Sequence, residues 1–222
     1  EDEVATARAQ QAELTALLAD ARGRATAAGA AYRLASDPAL SGASLVTARV
    51  VAVGGSGPSG PERVTIDAGS RDGIEIDHTV VSADGLVGRV VAVAPWTSDV
   101  LVVGAPDLVV GVRVGPDGVL GEVSATAARG APAPAPGRLS LGLVERGEAA
   151  PGDEVWTLGS VGGRPFVPGI RVGTVETVRT GVGRLAPTGT LVPAVEPTTL
   201  DVVAVVVSPP RSTPRPVATG TG

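Results

Sequence analysis

Residues 64–93 read VTIDAGSRDGIEIDHTVVSADGLVGRVVAV, and this stretch decides the fold. Val64 and Ile66 alternate with Thr65 and Asp67, the period-2 pattern of a half-buried strand. Gly69 and Gly73 bracket a polar turn, and Thr79-Val80-Val81 opens a second strand. Asp84-Gly85 is a two-residue hairpin signal, from which Leu86-Val87-Gly88-Arg89-Val90-Val91 leaves as a third strand. Gly88 inside that strand predicts a bend or a close approach of two backbones, as at the corner of a small barrel.

The same grammar returns downstream. Residues 153–159 form a strand ending in glycine, followed after a Gly/Pro turn by residues 168–178. Gly85-Leu86-Val87-Gly88-Arg89-Val90 and Ile170-Arg171-Val172-Gly173-Thr174-Val175 share a Val-Gly-X-Val core, which points to two β units built on one plan. Working outward, residues 45–53, 64–67, 79–82, 86–93, 99–103 and 108–114 read as six strands of a first unit. Residues 99–103 and 108–114 are near-continuous apolar runs, so both are expected to be buried, with Pro106-Asp107 turning between them. Residues 119–123, 138–144, 154–158, 170–179, 190–195 and 201–207 read as a second set, interrupted by an Ala/Pro-rich loop at 125–137 that is expected to be mobile. Short strands with no helix between them predict antiparallel sheet closed as small barrels or sandwiches. The run 201–207 is unusually apolar beside a Pro-rich tail, which suggests that it pairs back onto residues 45–53. The expected domains are 1–36, a helix; 45–116, a first β-barrel completed by 200–207 if that pairing forms; 117–207, a second barrel; and 208–222, a disordered tail.

The one helical stretch precedes all this. Residues 1–36 contain no proline and are rich in Ala, Leu, Gln and Arg. Val4, Ala7, Gln11, Leu14, Leu18, Ala21, Ala25, Ala28, Tyr32 and Ala35 step by alternating threes and fours, the seam of a coiled coil. Many of these residues are alanine, so each layer buries little and the isolated coil should be marginal. Packing of the helix on its own barrel is the alternative. Asp37-Pro38 ends the helix, because proline disfavours helical geometry in the residue before it.

Composition excludes several function classes. All 18 basic residues are arginine, the formal charge is −5, and no arginine cluster appears, which argues against a nucleic-acid backbone as ligand. The chain has no cysteine, hence neither a disulfide framework nor a thiolate metal site. Only Tyr32, Trp96, Trp156 and Phe166 are aromatic, so the core must be mainly Val, Leu, Ile and Ala. Of the two tryptophans, a core position is favoured over an exposed anchor. The lack of methionine, even at position 1, suggests a piece of a longer chain, and no apolar run of about 18 residues is present to span a bilayer.

Candidate chemistry is sparse. His78, the single histidine, sits between Asp77 and Thr79 and reads as a plain surface residue; Gly159-Ser160-Val161-Gly162-Gly163 only faintly resembles a nucleophile loop. Asp67, Asp72, Asp77 and Asp84 fall near turns, where side-chain hydrogen bonds explain them more simply than calcium. Gly54-Gly55-Ser56-Gly57 lacks the ending of a phosphate loop. No catalytic, metal or cofactor residue is assigned, and no cofactor is expected.

In order, the motifs resemble the rod-shape-determining MreC family. The resemblance rests on Ile66-Asp67-Ala68-Gly69 with Asp72-Gly73-Ile74, on Gly85-Leu86-Val87-Gly88-Arg89-Val90, and on Ser98-Asp99-Val100-Leu101-Val102-Val103. It continues through Gly152-Asp153-Glu154-Val155-Trp156-Thr157-Leu158-Gly159, the block 166–175 and the closing apolar strand 200–206. It implies a mainly β fold: an N-terminal coiled-coil helix followed by two small six-stranded antiparallel β-barrels. It also implies a single-pass anchored protein on the extracytoplasmic face of the bacterial plasma membrane, with the anchor missing from this chain. The function implied is a non-catalytic, homodimeric scaffold of the lateral cell-wall elongation machinery, or elongasome. Implied partners are a class B penicillin-binding transpeptidase, MreD and, where present, MreB, with an exposed strand edge expected to receive a segment of the transpeptidase. This chain departs from the family pattern at Trp156-Thr157-Leu158-Gly159, in its Ala/Pro loop and in its Pro-rich tail. The alternative is a periplasmic adaptor subunit of a membrane transport system, which would place a helical hairpin inside flanking β segments rather than one helix at the N-terminus.

Overall fold

In the computed structural model, described for residues 2–55, 57, 60–128, 130–144, 148–179 and 186–207, one long helix stands on two closed barrels. The helix α1 (Asp2–Ala35) runs for 34 residues, about 50 Å at 1.5 Å per residue. A short turn, Pro38–Leu40, stops it, with the Asp37 carboxylate accepting the Ala39 N–H at 2.9 Å. The strands follow as β1 (Leu45–Gly54), β2 (Arg63–Ile66), β3 (Thr79–Ser82), β4 (Gly85–Val93), β5 (Ser98–Val102) and β6 (Val109–Val114). After these come β7 (Val119–Ser124), β8 (Leu139–Leu143), β9 (Glu154–Thr157), β10 (Arg171–Arg179), β11 (Thr188–Pro193) and β12 (Val202–Val206).

One barrel has the order β1-β12-β3-β4-β5-β2 and the other β10-β11-β8-β7-β6-β9, all neighbours antiparallel. The mainly β architecture of two six-stranded barrels behind a helix is therefore the one read from the sequence. One strand changes barrels. Residues 108–114, grouped above with the first unit, form β6 of the second barrel and pair with β7 and β9. The sixth strand of the first barrel is β12, with Leu45 opposite Val206 and Arg49 opposite Val202. Nor is β6 buried throughout, as its apolar run suggested: Val110, Val112 and Val114 are buried while Val109, Gly111 and Arg113 are exposed, and the run carried no mark of its barrel. The hairpin between β3 and β4 also sits one residue earlier than expected, with Ser82 paired to Gly85 and residues 83 and 84 at the turn.

Gly88 and Gly173 are required by close approach. A Cβ at Gly88 would lie 1.9 Å from the Leu101 carbonyl oxygen, and one at Gly173 would lie 2.2 Å from that of Val192. Both glycines stand beside a register shift in their barrel, so the shared Val-Gly-X-Val core marks the same corner twice.

Two apolar clusters fill the molecule. One is the first barrel's interior and includes Val64, Ile66, Val80, Val90, Val100, Val203 and Val205. The other holds the second barrel's interior, including Val112, Val123, Leu141 and Leu191. It continues onto Val81, Leu86, Leu101, Ala204 and Val206 of the first barrel, and onto Leu34 and Leu40 at the helix foot. All five residues of β12 are buried, because one face looks into the first barrel and the other into this shared cluster.

Both sheets close, which corrects the expectation of an exposed edge along a whole barrel; strand ends with one neighbour include residues 51–54 of β1, paired with β2 alone, and residues 177–179 of β10, paired with β11 alone. The Ala/Pro loop is described except at residue 129. It runs beside the β10–β11 hairpin, where Arg138 Nε donates to Glu176 Oε1 at 2.9 Å. The 208–222 tail lies outside the described residues.

Candidate interaction surfaces

The acidic turn residues are occupied by the backbone and by arginine. Asp67 accepts from the Arg49 N–H at 2.6 Å, Asp72 from the Gly69 N–H at 2.8 Å, and Asp77 from Arg89. Asp84 stays exposed, its own N–H donating to Ser82 Oγ at 3.3 Å. Among the described residues, no group of three or more His, Cys, Asp or Glu side chains could hold a metal ion.

His78 is not the surface residue expected. It is 1% exposed, at the place where the barrels meet. Its Nδ1 accepts the Glu75 N–H at 3.1 Å, which fixes the neutral ring with its proton on Nε2, and Nε2 has no partner among the described residues. Burial, followed by the positive charge of Arg164, holds the imidazole below its ordinary pKa, while Glu75 opposes the shift. Arg164 Nη1 donates to Glu75 Oε2 at 2.7 Å, and that bond, then the charge behind it, lowers the Glu75 pKa. Next in the chain, Thr79 Oγ1 donates to the Pro165 carbonyl at 2.9 Å and accepts from the Val167 N–H at 3.0 Å. A Cβ at Gly85 would meet the Arg171 carbonyl oxygen at 2.3 Å, so the barrels also touch backbone to backbone. Sequence reading missed this joint. Its members are up to 89 positions apart, and Glu75, His78, Thr79 and Arg164 belong to none of the motifs read above.

The helix supplies an apolar exposure. Val4, Ala7, Gln11, Leu14, Leu18, Ala21, Ala25, Ala28 and Tyr32 of the heptad seam are all exposed in the single chain; the Ala35 side chain lies outside those described. Leu17, adjoining the seam, is exposed as well. Burial against the barrel is seen at Ala30 and Leu34, whereas the described side chains from Val4 to Arg22 are all exposed. Isolated surface leucines need no explanation, but three of them within five residues of a projecting helix form a stripe.

The second barrel supplies another. Trp156 of β9 lies opposite Arg113 of β6, and Arg113 opposite Leu120 of β7; the Val144 N–H, just past β8, donates to the Leu120 carbonyl. One cross-strand row thus presents a half-buried indole, an arginine and two exposed aliphatics to solvent. Exposed Leu158 and Val109 flank it beside Gly111, where no side chain stands between them. Trp96 is also no core residue. It is 61% exposed, with the Arg71 guanidinium 4.7 Å from its ring centroid.

Residues 53–207 match the family model described as rod shape-determining protein MreC, barrel core. Among solved structures, one described as MreC is 27% identical, with 79% of this chain and 94% of that one covered and a TM-score of 0.66. The crystal structure of MreC from Pseudomonas aeruginosa is also 27% identical, covering 73% of this chain and 99% of that one with a TM-score of 0.62. MreC in a complex with penicillin-binding protein PBP2 from Helicobacter pylori shares the fold at 16% identity, covering 74% of this chain and all of that one (100%), TM-score 0.53. No curated protein sequence matches. No helix among the described residues is long and apolar enough to cross a membrane. With residues 53–207 matched, well over half of its length, the chain belongs to the rod shape-determining MreC family.

Proposed function

We propose that this chain is a non-catalytic scaffold of the lateral cell-wall elongation machinery, which organises peptidoglycan synthases at the extracytoplasmic face of the membrane. In this reading the helix joins two copies along the seam from Val4 to Ala35. The barrels receive a class B penicillin-binding transpeptidase, while MreD and MreB act from the anchored side. The observation that carries the reading is the division of the molecule. Its exposed apolar side chains gather on a projecting helix and on the outer wall of the second barrel, with others such as Val51 and Trp96 on the first, whereas many of its polar groups are spent on turns and on the joint. Such a surface suits protein partners better than a small substrate. The solved complex of PBP2 with MreC from H. pylori supports a penicillin-binding protein as one of them. The transport-adaptor alternative gains nothing from a single N-terminal helix.

The test is calorimetric titration of this chain with the non-catalytic N-terminal region of the class B transpeptidase from the same genome. Saturable binding that Leu120→Asp weakens at least tenfold, with circular dichroism unchanged, is the expected result. Absence of binding at concentrations up to the high micromolar range would overturn the partner assignment.

A further inference from the structure

The joint between the barrels contains the chain's single histidine, and neither the family match nor the scaffold reading uses it. Three groups hold the joint by polar bonds. Thr79 makes two bonds to residues 165 and 167, and the Glu75 carboxylate grips Arg164. His78 fixes the position of Glu75, because its Nδ1 accepts the Glu75 N–H. We infer that His78 is an acid-sensitive latch: when its ring takes a proton, the joint between the two barrels loosens.

The chemistry is local. A protonated imidazole donates from both nitrogens, so Nδ1 can no longer accept, and the Glu75 N–H then faces another N–H. The backbone turn that presents the Glu75 carboxylate to Arg164 loses the shorter of its two ties and keeps only the 3.3 Å bond from the His78 N–H to the Glu75 carbonyl. The new positive charge also lies on a buried ring beside the partly exposed Arg164 guanidinium. The other charged groups nearby do not neutralise it. Asp77 is engaged by Arg89 of β4, and Glu75 is already shared with Arg164. Protonation is relieved when segment 164–167 moves away and the ring meets solvent. The sign follows from the ring's position below its ordinary value in the closed form. The closed joint is fully favoured above about pH 6.5, the value of a free imidazole, and loses favour as pH falls toward the closed-state value. Across that window, each pH unit multiplies the ratio of open to closed joints by up to about tenfold.

A tag-free chain contains one imidazole and no thiol, so both readouts are unambiguous. The ring carbon–proton resonances of His78 give its titration directly. Thr47→Cys and Glu122→Cys, both at exposed positions in different barrels, carry spin labels for pulsed electron-spin distance measurement from pH 8 to pH 5. The expected result is one narrow distance at pH 8 and a broader, longer distribution that grows with the His78 titration. His78→Asn keeps an acceptor near the place of Nδ1 and cannot titrate, so its distance should not change with pH. Should that variant not fold, Arg164→Gln serves. Removing the guanidinium should raise the His78 midpoint and, because the Glu75 grip is lost at every pH, should leave the distance already broad at pH 8 and little changed by acid; a distance as narrow as the parent's at pH 8 that still broadens at the parent's midpoint would overturn the inference. The inference is overturned if His78 titrates while the distance stays constant, if His78→Asn broadens as the parent does, or if the ring stays neutral until the whole chain unfolds.

Discussion

Val203→Ala is the perturbation that tests how the first barrel is closed. Val203 is fully buried on β12, directly opposite Ala48 of β1. Removing two methyl-sized groups costs about 1.6 kcal/mol in transfer, at about 0.8 kcal/mol for each. Ala48 is too small to swing into the space, so a cavity term adds to this, and the expected loss is about 2–3 kcal/mol. For a chain of this length that lowers Tm by roughly 5–10 °C. The control is Val51→Ala on the part of β1 beyond β12, where the side chain is 57% exposed; its change should stay within about 0.5 kcal/mol. A stronger form of the experiment deletes residues 200–222. It strips four buried valines, about 6–12 kcal/mol in all as an upper bound, and leaves β1 and β3 without their shared neighbour. That is comparable with the whole stability of a domain, about 5–15 kcal/mol, so the first barrel should not fold. Urea unfolding followed by far-ultraviolet circular dichroism measures both. The reasoning is refuted if Val203→Ala behaves like the Val51 control, or if the truncated chain keeps its β signal and a cooperative transition.

Leu14→Asp combined with Leu18→Asp places like charges along the helix stripe; light scattering should show a monomer while the β circular dichroism persists, and an unchanged assembly would exclude the seam. Limited digestion with a non-specific protease should cut within residues 131–137 before residues 100–114, because the latter pass through paired strands of both barrels; mass spectrometry of the first fragments decides. Thr79→Val leaves the Pro165 carbonyl and the Val167 N–H without their hydroxyl and should cost about 1–3 kcal/mol in urea unfolding, whereas Thr79→Ser should restore most of it.

The elements were largely legible because each one announces itself locally. Alternation in 64–67, the glycine turns, Gly88 and the proline after Asp37 all act within a few residues of where they stand. Partnership is different. β6 and β12 are both valine runs, yet β6 alternates buried and exposed positions while every residue of β12 is buried. Nothing in the sequence of β6 says that its pairs are residues 119–124 and 155–157 rather than the strand just before it. His78 shows the same limit at the level of one side chain. Its polar neighbours Asp77 and Thr79 suggest exposure, and it is buried only because segment 164–167, almost 90 positions away, crosses the first barrel there. Trp96 errs in the other direction: an indole suggests core, but the hairpin turn that carries it lies at the barrel's rim, under Arg71.

The return of β12 has a mechanical consequence. The second barrel is inserted between β5 and β12 of the first, so two chain crossings, near residues 103–108 and 194–201, tie the barrels rather than one. A single tether would allow rotation about itself; two tethers restrict motion to a hinge across the line between them. The apolar cluster that runs from the second barrel onto Val81, Leu86 and Ala204 resists opening of that hinge, and it also holds Leu34 at the helix foot. A pull on the helix therefore reaches β1 through residues 36–44 and β12 through the packed helix foot and, through the outer face of β12, the second barrel. Against an apolar contact that varies little with pH, the polar side of the joint at Glu75, His78, Thr79 and Arg164 is the part that acid can change. The hinge accordingly has a fixed apolar side and an adjustable polar one.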